Sequence, residues 1–178
     1  MDLLIQETYD GGDLVATKRD VTVVDGFENM PYLGMFGGNP EQSTPLVRLQ
    51  SEHAFDWWGN TLFFPNDESR QINLITEATL DKVVLNSAGR QTIEDAIKED
   101  LSFMSPFANV AVSVSIIGPE SILIGIKVVK PTNLEQKLYV YIWDKTIAEL
   151  TQFEGNAITN QVVIKGKIFS FQFDFTFA

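Results

Sequence analysis

Carboxylates are the residues best able to do chemistry here, and four of them crowd together: Glu94, Asp95, Glu99 and Asp100. Two carboxylates converging across a cleft would make a glycosidase pair, and several together would hold a divalent cation. These four instead recur along one predicted helix, with Glu94 and Lys98 four residues apart and Asp95 and Glu99 spaced likewise. That spacing describes a solvated helix face. His53 is the single histidine; it has no HExxH or paired-ligand context and reads as a surface residue of a polar loop. Asp10-Gly11-Gly12-Asp13 lacks the alternating oxygen ligands and closing glutamate of a calcium loop, so a hairpin turn is the better reading. No GxSxG elbow, Walker-type glycine loop or dinucleotide fingerprint is present. The expectation is therefore no catalytic residue, no metal and no cofactor.

The aromatic residues carry more information. Trp57 and Trp58 are adjacent, so on a strand they face opposite sides, and core or interface packing is favoured over stacking of a sugar or base. Phe169, Phe171, Phe173, Phe175 and Phe177 alternate with Ser170, Gln172, Asp174 and Thr176, the pattern of a strand with one aromatic and one polar face. Such a strand would template aggregation unless something paired with it. Either the chain's own sheet captures it or another subunit does; the bend near Lys165-Gly166-Lys167 tips the expectation towards donation to a neighbour. These five phenylalanines and the two tryptophans are the candidate partner interface.

The totals narrow the partners. With 24 acids against 13 Lys and Arg, the net charge is −11 and the pI near 4.4. Nucleic acid and anionic membrane are disfavoured, since phosphate binding needs clustered cations; a basic protein partner fits better. Cysteine is absent, which removes disulfides and thiolate metal sites. The start, Met1-Asp2-Leu3-Leu4-Ile5-Gln6-Glu7, has no positive region and is not expected to be a signal peptide. No apolar run approaches membrane-spanning length. A soluble protein made in a cytoplasm is expected.

The elements that must position these residues are legible from period and punctuation. Short strands are expected over Asp2–Thr8, Leu14–Lys18 and Val21–Val24, then a short helix within Phe27–Phe36 with Pro31 in its first turn. Thr76 is expected to cap a helix over Glu77–Leu85, with Leu80, Val83 and Val84 on one side. Asn86-Ser87-Ala88-Gly89 breaks the chain before a helix over Gln91–Met104, whose stripe is Ile93, Ala96, Ile97, Leu101 and Met104. Asn109–Ile117 and Ser121–Val129 read as a hairpin across Gly118-Pro119-Glu120. Lys137–Asp144 is a strand with Tyr139, Tyr141 and Trp143 on one face and Val140 and Ile142 on the other. Ala148–Asn160 reads as a less regular connector, and Gln161–Ala178 as a last β region. The predicted class is α+β: a small mixed or antiparallel sheet packed on two or three helices, with a C-terminal β-strand arm. The predicted division is a domain over 1–146 and an extension over 147–178.

Several segments, in order, resemble the Mu-type baseplate wedge family of contractile-tailed phages. They are Asp2-Leu3-Leu4-Ile5, Gly11-Gly12-Asp13-Leu14, Val24-Asp25-Gly26-Phe27-Glu28, Asp56-Trp57-Trp58-Gly59-Asn60, Ile93-Glu94-Asp95-Ala96-Ile97 and the strand reaching Tyr141-Ile142-Trp143. The resemblance covers roughly residues 1–146. That family is related to lysozyme-like wedge proteins that initiate the tail sheath. The resemblance implies a structural virion protein of the tail baseplate, assembled in the host cytoplasm in several copies around a sixfold axis. Its implied partners are other wedge subunits and the tail sheath or tube proteins. The Glu-Pro-Arg motif of the lysozyme-like relatives is not found here, so their partner contacts do not transfer. The competing expectation is a peptidoglycan-degrading lysozyme-like tail enzyme, with Glu94 and Glu120 as the carboxylates to test.

Overall fold

The computed structural model describes residues 2–7, 12–18, 20–24, 26–37, 75–131, 135–156, 161–164, 167–170 and 173–177. Trp57, Trp58, His53 and Phe171 lie outside them. The fold is α+β, as the hydrophobic periods predict, and every strand pairing among the described residues is antiparallel.

The chain opens with four short strands: β1 (Asp2–Leu3), β2 (Ile5–Glu7), β3 (Gly12–Leu14) and β4 (Val23–Val24). β1 pairs with β4 and β2 with β3, while Ala16 bridges to Val21. Asn29 ties this ribbon to the helical layer. Its side-chain amide donates to Leu3 O and to Asp2 Oδ2, and its Oδ1 accepts from Ile5 N at 3.0 Å. A 3-10 turn over Gly26–Glu28 leads into α1 (Met30–Phe36), where Pro31 sits in the first turn, the position its missing N–H allows.

Helix α2 (Thr76–Lys82) is followed by α3 (Ser87–Asp100). The predicted stripe is the buried face of α3 and the turn after it: Ile93, Ala96, Ile97, Leu101 and Met104 are all buried. The helix begins four residues before Gln91 because Asn86 caps it, accepting from Gly89 N at 2.9 Å. Gly89, read as part of a break, lies inside the helix. A Cβ there would fall 1.9 Å from Val84 O, so no larger residue fits. Val84, expected on the apolar side of α2, lies beyond its end and is exposed.

Among the described residues the main sheet has seven strands: β5 (Asn109–Ile116), β6 (Ser121–Val129), β7 (Gln136–Asp144), β8 (Glu149–Asn156), β9 (Gln161–Ile164), β10 (Lys167–Ser170) and β11 (Thr176–Phe177). Their spatial order is β10-β9-β8-β7-β6-β5-β11. One face meets the helices through Val112, Ile124, Ile126, Tyr139, Tyr141 and Trp143, which join the α3 stripe in one core. The opposite face carries Leu123, Leu138 and Val140 with Ile142 and Phe153. Residues on β7 therefore divide between the faces as their alternation predicts.

One expectation is corrected. The connector read over Ala148–Asn160 contains β8, paired with β7 from Asp144↔Glu149 to Leu138↔Gly155. Leu150 supports one face and Phe153 the other, so β8 shows no clean apolar alternation. The boundary drawn after Thr146 falls in the tight turn between β7 and β8, and strands β8 to β11 beyond it belong to the same sheet.

Candidate assembly interface

The phenylalanine run does not form one continuous strand. β10 pairs with β9 in the register Phe169↔Val162, while Phe177 pairs with Ala111 on β5, at the other edge of the sheet. Between them Phe173 to Phe175 belong to no strand and lie across the face that the helices leave open. Six strand spacings separate β10 from β11 in the sheet order. At about 4.8 Å each they amount to about 29 Å, whereas the six residue steps from Ser170 to Thr176 reach about 20 Å. The sheet must therefore curl towards this segment, as strongly twisted sheets do.

Phe173 and Phe175 stack with ring centroids 5.2 Å apart and planes 26° apart, packed on Leu123, Leu138 and Val140. Gly125 on β6 makes room for them. A Cβ at that position would lie 2.5 Å from the Phe173 ring, so only glycine lets the ring rest on the backbone. The strap is pinned in its middle by Asp174, whose N–H donates to Ser113 Oγ at 3.0 Å. Residues 167–170 and 173–177 thus stay on their own sheet in the single chain. Gly125 and Ser113 are the residues that sequence reasoning missed. A glycine inside an otherwise aliphatic strand is the signal that would have found the first.

The carboxylates on α3 do not share one solvated face. Asp95 and Glu99 are exposed, but Glu94 and Asp100 are each only 2% exposed. Glu94 is held on both oxygens, by Arg90 at 2.9 Å and Lys98 at 3.0 Å. Asp100 accepts from Ile75 N at 2.8 Å and from Thr76 N at 2.7 Å, capping α2 from another element. Thr76, expected to cap that helix, is its first residue, and the residue before it, Ile75, has no capping side chain. Burial raises the Asp100 carboxyl to about 6, against the lowering effect of those hydrogen bonds; Glu99 nearby adds to the rise. The four carboxylates are therefore two structural and two surface groups, with no shared cleft.

Among the described residues, no group of three or more His, Asp or Glu side chains converges to hold a metal ion. Two polar atoms in the helix-facing core, Tyr141 Oη and Trp143 Nε1, have no hydrogen-bond partner among the described residues. Burial pushes the Tyr141 phenol above its ordinary range, with Tyr32 beside it adding to the effect. No protein-family model matches the chain, and neither does any curated protein or solved structure.

Proposed function

We propose that the protein is a structural component of a contractile phage tail baseplate, a wedge subunit that initiates or anchors the sheath by protein–protein contact. The observation that carries this reading is the aromatic strap. It reaches its far edge through a strand of only two residues, Thr176 and Phe177, while β5 beside it runs for eight. A strand held so briefly is suited to exchange with a neighbour's strand, since backbone pairing is generic and the alternate phenylalanines supply specificity. The ordered segments over residues 1–146 supply the class by resemblance. Partners on this reading are other wedge subunits and the sheath or tube proteins, in a sixfold assembly within the virion.

The peptidoglycan-cleaving alternative has less support. A general acid needs a free carboxyl able to reach a substrate oxygen. Glu94 is buried with both oxygens engaged by cations, and Glu120 sits exposed at the tip of the β5–β6 hairpin. Immunogold labelling of contractile particles produced by the encoding cell tests the assembly reading: label is expected at the baseplate end of the tail. Unlabelled particles, or cell-wall turnover that is lost in Glu94→Gln or Glu120→Gln, would overturn it.

A further inference from the structure

The N-terminal ribbon repeats one pattern three times. Asp2-Leu3-Leu4-Ile5, Asp13-Leu14-Val15-Ala16 and Asp20-Val21-Thr22-Val23 each read aspartate, aliphatic, a third residue, aliphatic. The third residues close a ring of backbone hydrogen bonds. Leu4 N–H donates to Thr22 O at 2.9 Å, Thr22 N–H to Val15 O at 2.8 Å, and Val15 N–H to Leu4 O at 3.0 Å. From this ring three two-stranded arms radiate, and their innermost pairs are Leu3↔Val23, Ile5↔Leu14 and Ala16↔Val21. Directly opposed residues share a face of their ladder. The ring repeats the same geometry at each arm, so all six aliphatic side chains gather on one side of the junction.

Of these six the core takes in one, Ile5. Ile5 packs against it, but Leu14 is 52% exposed, Val23 50%, Leu3 39% and Val21 36%. Each repeat also places an exposed aspartate, Asp2, Asp13 or Asp20, one residue before its first aliphatic. Among the described residues of the ribbon these acids outnumber the cations, of which Lys18 is one. We propose that this apolar ring with its three aspartates is a docking surface for another protein, one presenting aliphatic side chains flanked by lysine or arginine. A second copy of this chain is the poorer occupant, because it would bring the same aspartates and another net charge of −11 against them. The surface is separate from the aromatic strap, so it stands or falls apart from the assembly reading above.

The test uses the full chain and two short synthetic peptides, one alternating leucine with lysine and one alternating leucine with glutamate. The leucine–lysine peptide is expected to bind saturably in calorimetry and the leucine–glutamate peptide not to bind. The Leu14→Ser/Val23→Ser double variant is expected to weaken binding at least about tenfold. The Asp13→Asn/Asp20→Asn variant keeps side-chain oxygen acceptors and the fold; it is expected to weaken binding several-fold and to flatten its salt dependence. Absent binding, or equal affinity of the wild type and the aspartate variant, overturns the proposal. So does a concentration-dependent dimer that the Leu14→Ser/Val23→Ser change abolishes, since the occupant would then be a second copy.

Discussion

Asp100 shows how one side chain can serve an element other than its own. Sitting at the end of α3, it supplies the acceptors that the first N–H groups of α2 need, and it does so from inside the protein. Its carboxyl ionises near 3.8 when exposed and near 6 in the folded chain. The folded state thus holds this proton more tightly than the unfolded state does. The associated stabilisation is fully present below about 3.8 and is lost as the pH rises through about 6. A shift of this size corresponds to about 3 kcal/mol. Urea denaturation at several pH values should show the wild type gaining stability over Asp100→Asn between pH 7 and 4; parallel profiles would refute the assignment. Tyr141 offers a second residue-level check. Its buried hydroxyl has no hydrogen-bond partner among the described residues, and such a group costs about 1–3 kcal/mol. Tyr141→Phe should leave the protein as stable or about 1 kcal/mol more stable, and a marked loss in chemical denaturation would show that the hydroxyl is satisfied.

Between elements, the contact that matters most is the strap over β6. Gly125 sits beneath the Phe173 ring, with space for no additional carbon. Valine suits a strand by propensity, yet at this position it must displace the ring. Overpacking of this kind costs about 1–3 kcal/mol. In Gly125→Val that strain falls on the strap rather than on the helix-facing core, whose residues project from the other side of the sheet. Chymotryptic cleavage at Phe173 and Phe175 should accelerate about tenfold or more, and an unchanged rate would place the ring elsewhere.

For the whole molecule, the sheet has two buried faces made from very different parts of the chain. The helical layer covers one, and a few residues near Phe173 and Phe175 cover the other. Removing residues 167–178 takes away β10, the strap and β11 together. Fully burying a phenylalanine contributes about 1.5–3 kcal/mol; Phe173 and Phe175 are half-buried, so their loss alone should destabilise the chain by about 2–3 kcal/mol. The truncated protein should self-associate through Leu123, Leu138 and Val140, and a synthetic peptide of residues 167–178 should return it to a monomer in sedimentation. A truncated chain that stays monomeric with the wild-type melting temperature would mean that the strap contributes nothing to its own sheet.

Local period alone determined the α3 stripe, the β5–β6 hairpin and the two faces of β7. In each, the residues that report the element also fill its buried face, so pattern and burial coincide. The α+β class follows from those elements. The fate of Glu94 and Asp100 was not legible, because a helix wheel cannot say which charged side chain another element will cover. Asp100 acquires its role from backbone 24 and 25 residues away. β8 hid for a related reason: it gives one apolar residue to each face, Leu150 and Phe153, and so shows no alternation. The phenylalanine run was read correctly as sheet-forming but wrongly as one strand, since alternation fixes the faces of a segment and not its partners. Its path is set by the curl of a sheet built from β5 to β9, by the gap at Gly125, and by a hydrogen bond from Asp174 to Ser113 across 61 residues. Contacts over such distances depend on where the rest of the chain has already packed, and only the tertiary structure decides that.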